Sequence, residues 1–188
     1  MDAGHRSRYI AMAFRFAHEA DPSAKLYYND FDVGGYPGSK APGILELVRR
    51  LVREGAPIDG VGMQFHAAPG VHDIDFAGVA DQMQAVRALG LDYAITEYDY
   101  ALTLPASQAD LEEQGKVTRR LAETCLAAPN CRTFIGWGFT DRHSWVPSVF
   151  PDRGKATLFD EQLRRKPAFG GLLTALRAAA RQPPPVPE

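Results

Sequence analysis

Two carboxylates lie two residues apart at the end of the segment "YAITEYDY", where Glu97 and Asp99 follow an apolar run. Burying a carboxylate is costly unless it is paired, hydrogen-bonded or used in chemistry. The period-two alternation of a strand would put both carboxylates on one face and Tyr98 on the other. The segment therefore predicts either a structural acidic cluster or a catalytic carboxylate held by a neighbouring group.

An imidazole that could hold these carboxylates ends the preceding strand-like segment, "IDGVGMQFH", which places Gln64 and His66 on one face. On adjacent parallel strands, Asp99 could bind one ring nitrogen of His66 while the other nitrogen contacts Glu97. That contact would orient Glu97 and favour its ionised form, as a nucleophile requires. The alternative is a purely structural Glu–His–Asp network, which the spacing alone slightly favours.

Aromatic and amide side chains accompany these groups. The segment "GWGFTDRHSW" contains Trp137 and Trp145, and "LYYND" contains Asn29. Tryptophan faces beside carboxylates are a common way to hold pyranose rings, although a single tryptophan more often fills a core. His72 has no evident role, and we expect it to lie on a solvated surface.

The hydrophobic pattern switches repeatedly between the periods of strands and helices. Helices are predicted at 8–20, 43–55, 74–90, 107–127 and 166–181, and strands at 24–30, 58–66, 92–99 and 132–138. Such alternation predicts a parallel α/β sheet. One helix and four strand–helix units are half of an eightfold barrel, which usually needs about 250 residues. An open doubly wound sheet is the competing topology, but no glycine-rich phosphate loop follows any strand.

Each predicted strand ends in polar side chains. These are Asn29 and Asp30, Gln64 and His66, Glu97 and Asp99, and, after Trp137, Asp141. Parallel α/β sheets bind ligands at the edge formed by the carboxyl ends of their strands. Four polar endings at one edge therefore predict a pocket rather than four unrelated caps.

Composition and charge disfavour two classes of partner. The 188 residues carry a formal net charge of -2, and lysines and arginines are scattered rather than gathered in a basic stripe, so no nucleic acid is predicted. No apolar run reaches the roughly 20 residues that span a membrane. The N-terminal segment lacks the apolar core of a secretory signal. The histidines lack ligand spacing, so we predict neither a metal nor a cofactor.

The two cysteines leave two possibilities open. Cys125 and Cys131 are six residues apart and flank the turn "LAAPN". Two buried free thiols and a local disulfide across a helix-to-strand turn are equally compatible with this spacing. A disulfide would indicate an oxidising compartment.

Taken together, "LYYND", "PIDGVGMQFH", "ITEYD", the cysteine pair, "GWGFTDRHSW" and "KPAF" resemble, in this order, glycoside hydrolase family 10, the endo-β-1,4-xylanases. The resemblance covers about Arg8 to about Ala178. It implies a (β/α)8 TIM barrel of which residues 1–180 form the C-terminal half, strands five to eight preceded by one helix. Residues 181–188 are predicted to be a proline-rich disordered tail. The resemblance further implies hydrolysis of xylan with retention, and a secreted or extracytoplasmic location.

The resemblance also assigns roles. It makes Glu97 the nucleophile, supported by His66 and Asp99. The subsite of the attacked sugar would be lined by Gln64, Trp137 and Trp145, and Asn29 would lie on the rim near the leaving group. The partners would be xylan or xylo-oligosaccharides.

Three further positions are interpreted through the resemblance. The family often bridges the pair that matches Cys125 and Cys131, so a disulfide is implied. Tyr98 stands where the family usually has Leu, and we expect it to point toward the helices. Phe31 replaces a more usual Tyr, which would remove one polar contact on the leaving-group side.

The second carboxyl group is the main departure from the family. Retaining hydrolysis needs two carboxyl groups about 5–5.5 Å apart. In the family the acid/base Glu ends a segment resembling "WDVVNE", just before the helix that opens here near Arg8, and this sequence contains no such segment. A four-strand sheet curved for a barrel has open edges, which predicts self-association or a complementing half-barrel. The alternative is an inactive fragment that at best binds xylo-oligosaccharides.

Overall fold

A parallel sheet with helices on one face is the framework of the structure, a computed structural model that describes residues 3–181. The strands are β1 (Tyr27–Asp30), β2 (Gly60–Met63), β3 (His66–Ala67), β4 (Asp92–Tyr100), β5 (Leu102–Thr103), β6 (Cys131–Gly136) and β7 (Arg153–Gly154). The helices are α1 (Ala3–Ala20), α2 (Ala41–Arg53), α3 (Phe76–Arg87), α4 (Gln108–Ala127), α5 (Val146–Val149) and α6 (Pro167–Ala179), with a 3-10 turn at Asp141–His143. From residue 182 onward, the predicted tail lies outside the described residues.

The main strands pair in the order in which they occur in the chain. β1 pairs with β2, β2 with β4, and β4 with β6, and all three pairings are parallel. A helix follows each strand, as expected for parallel strands that need crossover connections. The predicted succession of one helix and four strand–helix units is therefore confirmed. Ser107 caps α4 and forms a capping box with Asp110, which fixes where that helix begins.

The strand predicted at 58–66 is interrupted. Phe65 has a φ angle of 60°, so the backbone leaves the extended conformation after β2 and resumes it in β3. Both pieces pair with β4, and in β3 His66 is the register partner of Asp99. The kink therefore keeps His66 beside the carboxyl end of β4.

The sheet has a helix-covered face, formed by Tyr28, Val61, Met63, Tyr93, Ile95 and Phe134, and an open face, formed by Tyr27, Asn29, Gly60, Gly62, Ala94, Thr133 and Ile135. The helix-covered face belongs to the main hydrophobic core, where Val61, Met63 and Ile95 are fully buried. On the open face, Asn29 and Ile135 are exposed. Apolar burial on one face only is the arrangement of a sheet that has packed one of its two sides.

Glycines let side chains bridge β2 on the open face. A Cβ on Gly62 would lie 2.7 Å from Asn29 Oδ1 and 3.0 Å from Thr96 Cγ2, closer than packed atoms allow. A Cβ on Gly60 would meet the ring of Tyr27. Side chains of β1 and β4 can meet across β2 because these two positions carry no side chain.

The segment between β6 and α6, in which no helix or strand is predicted from the sequence, is held by short elements and a buried ion pair. β5 and β7 form an antiparallel pair, and α5 lies between the 3-10 turn and β7. Lys166 Nζ lies 2.9 Å from Asp141 Oδ2, with both side chains 6 % exposed. Burial lowers the pKa of Lys166, while the charge of Asp141 acts in the opposite direction. The pair ties the two ends of the segment that carries Trp145.

Candidate active site

Glu97 lies at an irregularity near the end of β4. The register between β4 and β6 shifts between Ile95 and Tyr98, so the local alternation of side chains changes there. Glu97 Oε1 accepts a hydrogen bond of 2.8 Å from Asn29 Nδ2, and Oε2 lies 3.3 Å from His66 Nε2. Both carboxylate oxygens are thus held by neighbouring donors, while 16 % of the side chain remains exposed.

His66 links the carboxylates of Glu97 and Asp99. Its Nδ1 lies 3.0 Å from Asp99 Oδ2, and its Nε2 contacts Glu97, so both predicted contacts are present. Burial of the ring lowers its pKa, but the hydrogen bonds and charges of Asp99 and Glu97 outweigh burial and raise the pKa of His66 above its usual 6.5. A protonated His66 between two carboxylates stabilises the ionised form of both.

Asp99 is a buried acceptor at the centre of this network. Its side chain is 2 % exposed, and its Oδ2 accepts a 2.7 Å hydrogen bond from Trp145 Nε1 as well as the contact from His66. Two donors offset the cost of burying this carboxylate. Asp99 therefore fixes both an imidazole and an indole at the edge of the open face.

Asn29 lies closer to the proposed nucleophile than the rim position that the resemblance implies, because its amide nitrogen contacts Glu97 directly. Its amide oxygen accepts a 2.7 Å hydrogen bond from Thr96 Oγ1. That bond fixes the amide orientation in which nitrogen rather than oxygen faces Glu97. Thr96 and the space above Gly62 are not predicted from the sequence; the glycine in "VGM", on the strand that pairs with "YND", is the feature that indicates them.

The aromatic side chains surround His66. The ring of Trp145 lies 5.1 Å from the imidazole centroid and that of Trp137 lies 6.1 Å away, both edge to face. Trp137 is 47 % exposed, so one of its faces is free for a ligand. Phe31 is also exposed, and Lys40 Nζ lies over its ring.

A cavity of about 350 Å³ is lined by His66, Asp99, Gln64 and Trp145. Its lining also includes Asp32, His72 and Arg153, together with the apolar side chains of Val71 and Phe150. The side chain of His72, predicted to lie on a solvated surface, is 39 % exposed and also has polar neighbours. Its Nδ1 lies 3.4 Å from Tyr36 Oη and 3.5 Å from Asp32 Oδ1, because the loops after β1 and β3 meet there.

Two implied features outside the cavity are confirmed. Cys125 and Cys131 form a disulfide with a Cα–Cα distance of 5.3 Å, joining the end of α4 to the start of β6. Tyr98 points toward α4, where its hydroxyl lies 2.8 Å from Thr118 Oγ1. A tyrosine is tolerated in place of leucine because the buried hydroxyl has a partner.

Among the residues whose side chains the structure describes, 8–181, no three His, Cys, Asp or Glu side chains are grouped so that they could hold a metal ion. No helix within residues 3–181 has the length and apolarity needed to cross a bilayer.

Comparisons with known proteins agree on one family. The family model described as Glycosyl hydrolase family 10 matches residues 2–175. An endo-1,4-beta-xylanase of Agaricus bisporus is 42 % identical over 165 residues, 88 % of this chain and 48 % of that protein. Endo-1,4-beta-xylanase B of Humicola insolens is 37 % identical, over 90 % of this chain and 49 % of that protein.

Solved structures give the same result. Xylanase 10B from Thermotoga maritima superposes with a TM-score of 0.86 at 33 % identity, covering 93 % of this chain and 53 % of that one. Xylanase 10B from Thermotoga petrophila RKU-1, solved in complex with xylobiose, has a TM-score of 0.85 at 33 % identity, covering 91 % and 52 %. The chain thus spans about half the length of the relatives it matches, and the predicted partial barrel is confirmed.

Proposed function

Since this chain belongs to Glycosyl hydrolase family 10, we propose that it supplies the nucleophile side of a retaining endo-β-1,4-xylanase site that acts on xylan. The observation that carries the proposal is the Glu97 carboxylate, whose two oxygens are held by Asn29 and His66 while part of the side chain stays accessible. A nucleophile has to be oriented and reachable, and this carboxylate meets both needs.

The proposed reaction has two displacements. A Glu97 oxygen attacks the anomeric carbon, and the bond from that carbon to the leaving oxygen breaks. The leaving oxygen keeps the electron pair of that bond and receives a proton from a second carboxyl group. Water, deprotonated by the same second group, then displaces Glu97 and restores the original configuration. We assign Asp99 and His66 the role of positioning residues, because His66 contacts Glu97 while Asp99 holds both His66 and Trp145.

The nearby aspartates are poor candidates for that second carboxyl group. Asp30 accepts hydrogen bonds from the Tyr28 hydroxyl and the Phe31 backbone nitrogen. Asp32 accepts from Tyr36 and faces His72. Because both side chains have local partners, we assign the acid/base to the other half of the barrel, the part of the relatives that this chain does not match.

The open surfaces support association with such a half. We propose that residues 1–180 form one half-barrel domain and that its exposed surfaces are covered by a complementing half-barrel or by a second copy. Tyr9, Met12 and Phe16 form an exposed apolar stripe on α1, which precedes edge strand β1. An exposed apolar stripe and an unpaired strand edge are each typical of an interface. A wild-type chain that elutes as a monomer in size-exclusion chromatography at high concentration would contradict self-association.

The disulfide supports a location. Disulfides persist in oxidising compartments, and the Cys125–Cys131 bridge closes a short turn rather than occupying the site. We therefore propose a secreted or extracytoplasmic protein.

A second candidate function is sugar binding without hydrolysis. It is favoured by the exposed aromatic rings of Phe31, Trp137 and Phe139, which are 51 %, 47 % and 60 % exposed and stand at the carboxyl ends of β1 and β6. Exposed aromatic faces can hold xylo-oligosaccharides without a nucleophile. The two functions differ in whether Glu97 forms a covalent bond.

Covalent trapping separates these functions. The chain is incubated with 2,4-dinitrophenyl 2-deoxy-2-fluoro-β-xylobioside, whose activated leaving group needs no acid and whose fluorine slows hydrolysis of the intermediate. We expect the intact mass to rise by one fluoroxylobiosyl group, and peptide mapping to place that group on Glu97. Glu97→Gln should abolish the label, whereas Glu161→Gln, an exposed glutamate, should not.

The same assay is repeated with the remaining half of the Agaricus bisporus enzyme added in trans. Faster labelling in the mixture would support a complementing half-barrel. Xylotriose binding without label in either condition would favour the binding function. No label and no binding in either condition would overturn both.

A further inference from the structure

Arg153 is an unneutralised cation in the lining of the cavity. Its Nη2 donates a long 3.5 Å hydrogen bond to the Pro69 carbonyl, and its Nη1 is buried with no hydrogen-bond partner. An unpartnered donor on a charged group is costly, more so than on a neutral one. The arginine is held in place because it belongs to β7, where it pairs with Thr103 of β5.

The carboxylates on the same cavity wall have partners other than Arg153. Asp99 accepts from His66 and Trp145. Asp32 accepts from Tyr36 and lies 3.5 Å from His72. No ion pair formed within residues 3–181 includes Arg153. The guanidinium is therefore the group in the cavity whose charge still lacks a counter-ion.

The rest of the cavity suits a sugar ring. Ala67, Ala68, Ala101 and Val146 give its lining small apolar side chains, and Phe150 adds an aromatic ring. A volume of about 350 Å³ is at the lower end of the roughly 300–1,000 Å³ typical of ligand sites. The cavity is continuous with His66 and Trp145, so its occupant would lie beside the proposed nucleophile network rather than at a remote surface.

We infer that this cavity binds a uronic acid side group carried by the xylan chain, with Arg153 as the residue that recognises its carboxylate. The inference rests on the proposed function, since it names a side group of the same polysaccharide. A guanidinium matches a carboxylate in geometry and charge, and pairs with it more strongly than with a neutral hydroxyl. The apolar side chains that line the cavity contact the ring carbons and exclude water, which strengthens the ion pair.

The test compares three probes by isothermal titration calorimetry: xylotriose, xylotriose bearing one glucuronic acid side group, and free glucuronate. The acidic oligosaccharide should bind the wild-type chain about tenfold or more tightly than xylotriose, as expected for a charged hydrogen bond. In Arg153→Gln this preference should disappear, while the Kd for xylotriose stays unchanged. Arg142→Gln, an exposed arginine in the same segment that does not line the cavity, should keep the preference.

Each other result has a defined meaning. Equal affinities for the two oligosaccharides, or a preference that survives in Arg153→Gln, would overturn the inference and leave the proposed function intact. Free glucuronate that binds as tightly as the acidic oligosaccharide would also overturn it, by assigning the cavity to a free uronate. Failure of xylotriose itself to bind would count against the proposed function instead.

Two measurements protect the test from a misfolded variant. Arg153→Lys keeps the charge but not the forked geometry, and it should keep a reduced preference for the acidic probe. In the wild-type chain, the ratio of the two oligosaccharide affinities should fall as salt is raised, since an ion pair is screened. A ratio that does not respond to salt would contradict recognition by charge.

Discussion

The two faces of the sheet differ in the kind of contact that the described residues make on them. On the helix-covered face, Val61, Met63 and Ile95 are completely buried against the helices. On the open face, the side chains form hydrogen bonds across β2 instead, from Asn29 to Glu97 and Thr96. The difference teaches that apolar packing holds the chain together on one side, while the proposed chemistry depends on polar side chains on the side that is not packed.

The largest expected effect is on the helix-covered face. Ile95→Ala would remove a fully buried side chain and should lower the free energy of unfolding by about 2–5 kcal/mol, measured by urea denaturation. Ile135→Ala, which is 48 % exposed on the open face of β6, is the matched control and should cost less than about 1 kcal/mol. Equal losses in the two variants would mean that the open face is covered in solution, for example by a second copy.

The second-largest effect is expected for the two glycines of β2, Gly60 and Gly62. Gly62→Ala would push a methyl group into the Asn29–Thr96 bridge, and Gly60→Ala would push one into the ring of Tyr27. Each should lower the free energy of unfolding by about 1–3 kcal/mol, as overpacking does. Only Gly62→Ala should also slow covalent labelling of Glu97, because only that bridge reaches the nucleophile. A similar slowing in Gly60→Ala would show that labelling follows general stability.

A smaller effect is expected for the hydroxyl that orients Asn29. Thr96→Val removes the donor to Asn29 Oδ1 while keeping the shape of the side chain. A lost hydrogen bond of about 0.5–1.5 kcal/mol corresponds to a rate of labelling about 2–12-fold lower. Thr133→Val, on the same face but outside the Glu97 network, is the control. Labelling at the wild-type rate in Thr96→Val would mean that Asn29 is oriented by other contacts.

The smallest effect is a change of stability with pH. The folded-state pKa of His66 is raised above 6.5, so protonation of this imidazole favours the folded state. Its contribution should be fully present below pH 6.5 and should be lost as the pH rises through the folded-state pKa. The difference in unfolding free energy between wild type and His66→Gln should shrink over that range. A difference that grows with pH would contradict the raised pKa.

The repeating elements could be predicted from the sequence because each carries a long periodic signal. The order of strands and helices is confirmed, and the ends of most differ by only a few residues. The contacts of His66 with Glu97 and Asp99 could be predicted too, since parallel pairing brings the ends of adjacent strands together.

What could not be predicted depends on local irregularity. The positive φ of Phe65 and the register shift before Glu97 leave no periodic trace, yet they decide which side chains share a face. The two-residue strands β5 and β7 are too short for a pattern, so the placement of Arg153 was not predictable. The ion pair of Asp141 and Lys166 joins residues that are 25 apart in the sequence, and spacing at that range carries no signal.

The Cys125–Cys131 bridge has a consequence for a chain that has been cut. It closes the turn between α4 and β6, the strand at the edge of the sheet. If a protease cleaves a peptide bond inside this turn, the two fragments remain joined by a covalent bond, and β6 stays attached to the helix it packs beside. Only cleavage combined with reduction breaks every covalent link between β6, with Trp137 and Trp145 after it, and the part of the chain that carries Glu97.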